Sequence, residues 1–136
     1  MAKQNFKGMT AAVAAGIVVS VIIIACVCVI PKRITLRMSD EISPLVSDAL
    51  NKALSEKNSE ATPVIESIFD IIEGYRRTLM LFYDHKDVSE LVLSAKTALE
   101  LSRTDDTAQL ITELCDIEKA ADYILHINDM SIFNIF

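Results

Sequence analysis

Apolar residues are spaced in two different ways along this chain, and the change falls near Pro31. From Met9 to Ile30 they are continuous and no charged side chain interrupts them. Beyond Ser39 they recur at steps of three and four residues with polar positions between. The first pattern spans 22 residues, about 33 Å as a helix at roughly 1.5 Å per residue, against a hydrocarbon core of about 30 Å. Its valines and isoleucines favour strand in water, but a lone strand in lipid leaves its backbone groups unpaired, so helix is expected there.

The second pattern predicts four amphipathic helices. Pro31 is expected to break the anchor helix, residues 32–38 to form a basic interfacial exit, and Ser39 to cap the first helix, with Pro44 near its start. Ile42, Leu45, Val46, Ala49, Leu50, Ala53 and Leu54 make its stripe, and residues 57–60 read as a polar break. Thr62 as N-cap with Pro63 at the first helical position opens the second helix, whose face runs from Val64 to Tyr83. Gly74 weakens that helix and is expected to mark a close helix contact. Asp87 with Glu90 predicts a capping box for the third helix, which fades at Ser102 to Thr104. Asp106 with Gln109 predicts the fourth, ending near Asn128. Such stripes must close on each other, so the expected fold is all-α: an N-terminal transmembrane helix, then a small antiparallel bundle or stacked hairpins. The organisation read from this is a basic flank over residues 1–8, an anchor over 9–30, a basic segment over 31–38, a four-helix domain over 39–130 and an apolar tail over 131–136.

Charge sharpens this picture. All 19 acidic residues lie beyond Pro31, while five of the 13 basic ones (Lys3, Lys7, Lys32, Arg33, Arg37) flank the anchor. The remaining eight bases leave residues 38–136 with a formal charge of −11. An acidic domain is repelled by nucleic acid, which excludes that partner class, whereas the basic collar suits lipid phosphates. Lys3, Lys7 and the amino terminus balance Lys32, Arg33 and Arg37 across the span, so charge alone sets no orientation. Cleavage as an ordinary signal peptide is disfavoured by the length of the run and the lack of a small-x-small site before Pro31. The segment Ile23-Ile24-Ala25-Cys26 also resembles a lipobox, an alternative in which Cys26 is lipidated. Either route leaves the domain tethered to the bilayer.

Candidate chemistry is sparse. His85 lies in a turn between Asp84 and Asp87, and Asp122 with His126 share a helix face at a spacing of four. Both are read as structural or solvated groups, and Cys115 as a small buried hydrophobe. There is no phosphate-binding glycine loop, no paired-cysteine metal motif and no nucleophile elbow, so no enzyme activity, cofactor or metal is expected. Gly8, Ala12, Gly16 and Ser20 share a stripe that would let a second membrane helix approach. Tyr75 and Arg76, and the tail residues Phe133, Ile135 and Phe136, are the candidate interaction residues. The tail either folds back on the bundle or docks on a partner or the bilayer surface.

The basic start before one hydrophobic helix, the Phe82-Tyr83-Asp84-His85-Lys86-Asp87 junction, the acidic third and fourth helices and the closing Ser131-Ile132-Phe133-Asn134-Ile135-Phe136 together carry a resemblance. In order and over nearly the full length, the chain resembles an uncharacterised family of small membrane-anchored proteins of spore-forming Gram-positive bacteria. The resemblance implies a cell-envelope setting and a domain outside the cytoplasm, with no catalytic residues to transfer. The expected function is a membrane-tethered adaptor or assembly subunit, partnered by the lipid bilayer and by another membrane protein or itself. A sensory module binding a small ligand between its helices is the alternative.

Overall fold

In the computed structural model, which describes the backbone of residues 2–133 and the side chains of residues 11–127, the anchor and the first bundle helix are one element. Helix α1 runs from Ala2 to Leu54 without interruption, 53 residues or about 80 Å. Three shorter helices follow: α2 (Asn58–Leu79), α3 (His85–Leu101) and α4 (Thr107–Phe133). Among the described residues all regular structure is helical, and α1 packs on α2 and α4 while α3 packs on the same two from the opposite corner. The result is an antiparallel four-helix bundle.

Pro31 does not end the helix, contrary to the expectation from sequence. Proline removes one amide donor from a helix interior and crowds the carbonyl four residues back. Here its φ is still compatible with a helix, and the continued phase is what buries Pro31, Thr35, Met38 and Ile42 along one stripe. The bundle's buried face therefore begins at Pro31, ahead of Ser39, and the basic segment is part of a bundle wall. Pro44 is also inside α1, on its exposed side.

Core positions on each helix alternate steps of four and three: Thr35, Met38, Ile42 on α1; Ala61, Ile65, Ile68, Ile72 on α2; Leu91, Ala95, Ala98 on α3; Leu110, Leu114, Ile117, Ala121, Ile124 on α4. That spacing keeps a narrow seam on one side of a slightly supercoiled helix, as left-handed bundles require. Burial of each large side chain stabilises by about 1.5 to 3 kcal/mol, which outweighs the exposed i,i+3 and i,i+4 ion pairs on the surface.

Local sequence decides where the helices end. After α1, Glu56 adopts φ 58°. The Glu56 amide donates to the Ala53 carbonyl at 2.9 Å and the Lys57 amide to the Lys52 carbonyl at 3.0 Å, a Schellman closure made without glycine. Helix α2 then starts at Asn58, ahead of the expected Thr62 cap, and Pro63 lies inside it. Asp84, not Asp87, caps α3, accepting the Lys86 amide at 2.7 Å. Asp106 caps α4 as expected, accepting the Gln109 amide at 3.1 Å. Helix α4 continues past Asn128 to Phe133.

Gly74 is exposed, and a methyl group built on it would meet nothing within 4 Å, so it marks no close contact. Gly74→Ala should therefore raise the bundle's unfolding free energy by about 1 kcal/mol, read by chemical denaturation in detergent. An unchanged or lowered midpoint would contradict the open surroundings described for this position.

Candidate interaction surface

The two ends of the bundle differ in chemistry because α1 enters at one of them. At the entry end lie the α2–α3 turn and, since α4 is antiparallel to α1, the last turns of α4. At the far end the α1–α2 and α3–α4 turns meet.

The entry end is held by a buried polar latch. Thr35 Oγ1 donates to the Pro31 carbonyl at 3.0 Å, and Tyr83 Oη lies 2.8 Å from the same Thr35 oxygen. With the threonine proton already committed, the phenol is the donor of the second bond. Both side chains are buried, so the α2–α3 turn is tied, through a residue within it, to the second turn of the bundle part of α1. Tyr83→Phe should lower stability by about 1 kcal/mol, the net worth of one buried hydrogen bond. A thermal melt showing no loss would place the latch outside the folding energetics. Sequence periodicity found Tyr83 on its stripe but left Thr35 in an interfacial exit. The available signal was the continuation of the Met38 and Ile42 spacing backward to Thr35 and Pro31, masked by the intervening Lys32, Arg33 and Arg37.

Tyr75 lies two turns up α2 and is half-buried against α1. Its hydroxyl donates to Glu41 Oε1 at 2.9 Å. Burial and the nearby Glu41 carboxylate lift its phenol above the ordinary range, so it stays protonated at neutral pH and the bond persists. Tyr75 also closes a groove of about 380 Å³ with Arg33, Ile34 and Arg37. Arg76 is paired with Glu73 at 2.9 Å on its own helix. Tyr75 and Arg76 therefore share no common partner, but both stand on the lower half of α2, near the basic part of α1.

At the far end, Asn58 Nδ2 donates to the Thr104 carbonyl at 3.2 Å and to Thr107 Oγ1 at 3.0 Å, and Thr62 Oγ1 donates to the Ser102 carbonyl at 3.2 Å. These bonds clasp the start of α2 to the α3–α4 turn under an open cleft of about 770 Å³. Glu56, Glu66, Arg103 and Asp105 line its mouth. Its polar floor is self-satisfied: among the described residues no buried side-chain nitrogen or oxygen lacks a hydrogen-bond partner. The arrangement joins two turns. The charged side chains at its mouth are solvent-exposed.

The remaining candidates are dispersed. His126 Nδ1 lies 3.1 Å from Asp122 Oδ1 and 2.9 Å from the Asp122 carbonyl, with both residues exposed. His85 begins α3, also exposed, and among the described residues no group of three or more His, Cys, Asp and Glu side chains is placed to hold a metal. Cys115, expected as a small buried hydrophobe, is half-buried at the edge of an α1–α4 groove of about 490 Å³. On the anchor, Ala12, Gly16 and Ser20 are exposed, and Ser20 Oγ donates to the Gly16 carbonyl at 2.9 Å within the helix. Gly8 is helical, with its side of the helix outside the described residues. Phe133 is the last helical residue, and Ile135 and Phe136 lie outside the described residues.

Between residues 11 and 30 α1 carries no charge on any side, with a mean hydropathy of 3.2 over its most apolar stretch and none of that stretch buried, so it is long and apolar enough to cross a bilayer. Fold and surface together define an all-helical bundle continuous with one candidate membrane-spanning helix. Compared with protein-family models, curated proteins and solved structures, the chain has no match.

Proposed function

We propose that this protein is a membrane-tethered helical adaptor or assembly subunit that acts by binding and without catalysis. The observation that carries this reading is the continuity of α1, in which one helix is first apolar all round and then forms a wall of a packed bundle. With its apolar part in a bilayer, such a helix holds the bundle upright at a set height. Confinement to two dimensions then raises its encounter frequency with other membrane proteins. The partner class is another membrane protein, or a second copy, meeting the acidic sides of the bundle. The family resemblance supports a bacterial envelope setting with the bundle outside the cytoplasm.

A sensory module with a ligand between its helices is the second reading. The described clefts are surface grooves, which favours the adaptor. Photo-crosslinkers at the exposed positions Leu93 and Tyr123, activated in native membranes, should capture a distinct membrane protein or a second copy at defined positions. Recovery of lipid alone would count against the adaptor.

A further inference from the structure

We infer that the α2–α3 turn is a second membrane contact: Leu81 and Phe82 insert into the headgroup layer of an anionic bilayer, seating the entry end of the bundle on the lipid surface. This rests on the reading of α1 as a membrane anchor.

The turn carries a leucine that is 77% exposed next to a phenylalanine that is 40% exposed, although the core beside it is closed. Its height is set by the latch. Tyr83 bonds Thr35, which follows Ile30, the end of the apolar run, by five residues, or about 7.5 Å of helix. A bilayer adds roughly 5 to 7 Å of headgroup layer to each side of its hydrocarbon core. The two exposed side chains, at the tip of a turn directed toward the anchor, therefore fall within that layer. On α1 itself the buried stripe begins at Pro31, one residue after the apolar run ends, so the packed bundle starts directly above the candidate span.

Charge supports lipid as the occupant. Arg33 and Arg37 are exposed on a stretch of α1 that holds no acidic residue between Ile30 and Asp40, and Arg77 and Lys86 are exposed near the turn, which also carries Asp84 and Asp87. Arg33 follows Ile30 by three residues, about 4.5 Å of helix, which puts its backbone at headgroup height. Basic residues are attracted to an anionic lipid surface, and an exposed apolar tip beside the basic stretch of α1 matches an interface of phosphates over acyl chains.

The chain has no tryptophan, so single introduced tryptophans report without background. Phe82→Trp, Leu81→Trp, Ile22→Trp in the anchor and Leu54→Trp at the far end would each be made in the full-length chain. Each would be reconstituted into vesicles of phosphatidylcholine and phosphatidylglycerol, with and without brominated acyl chains. The expected result is blue-shifted emission quenched by brominated lipid for Phe82→Trp and Leu81→Trp, with Ile22→Trp quenched more deeply and Leu54→Trp unshifted and unquenched. Replacing phosphatidylglycerol by phosphatidylcholine should weaken quenching at the turn and leave the anchor position unchanged. The inference is overturned if the turn positions behave like Leu54→Trp while Ile22→Trp is quenched. Blue-shifted but unquenched emission at the turn also overturns it, since the cover would then be protein. Loss of quenching at Ile22→Trp would instead defeat the anchor reading itself.

Discussion

Leu91→Asp is expected to abolish cooperative unfolding of the bundle, while Leu93→Asp, two residues away on the same helix, leaves it intact. Leu91 is fully buried at a seam position of α3, whereas Leu93 is 62% exposed. Truncating a buried leucine costs about 2 to 5 kcal/mol, and a carboxyl group in that place adds the cost of an unpaired polar or charged group. A domain of this size is stable by only about 5 to 15 kcal/mol, so the combined penalty approaches or exceeds the whole. An exposed substitution is ordinarily within about 0.5 kcal/mol. Ile68 and Leu114, also fully buried on α2 and α4, should behave as Leu91 does. The readout must be the cooperative transition and protection from proteolysis, because the apolar part of α1 stays helical in detergent and contributes circular dichroism whatever the bundle does. A sharp melt retained by Leu91→Asp would mean that the seam is wrongly assigned.

The double substitution Val18→Arg with Ile22→Arg should release the protein from membranes under alkaline carbonate extraction, and Leu54→Arg should not. Both anchor positions are more than half exposed on a helix with no protein covering it. Arginine near the centre of a span costs about 2.5 to 3.5 kcal/mol per residue on insertion scales. Two such residues amount to several powers of ten in partition, since each 1.4 kcal/mol is about a factor of ten. Leu54 is equally exposed but lies at the far end of the bundle, where an added charge meets water. Retention of the double variant in the carbonate pellet would show that something other than the apolar run holds the protein, acylation at Cys26 included.

The four helices, their stripes and the position of the long apolar stretch were legible in the sequence because they depend on local spacing alone. Ile68, Leu91 and Leu114 were assigned to the core from periodicity and are fully buried. The cap at Asp106 was legible too, since a side chain reaching its own helix start is a short-range event. The two misplaced starts have different causes: at α3 the local cap is made by Asp84 on the Lys86 amide, three residues ahead of the expected one, while at α2 a tertiary contact intervenes. Thr62 with Pro63, and Asp87 with Glu90, each carry a good capping signature, but α2 begins at Asn58 and α3 at His85. In α2, Asn58 and Thr62 are both engaged with the α3–α4 turn, and that contact is made only once the bundle has closed.

What the sequence by itself determined was the division of labour: one block of side chains suited to lipid, followed by four faces suited to one another. The tertiary structure decided how the two are joined. A proline and three basic residues between anchor and bundle read locally as a break, and only the packing of Pro31, Thr35 and Met38 against the rest of the bundle keeps the helix in phase through them. Tyr83 reaching back 48 residues to Thr35 then sets the height at which the α2–α3 turn meets α1. Neither depends on neighbours in the chain, since both follow from surfaces that are adjacent only in the folded bundle.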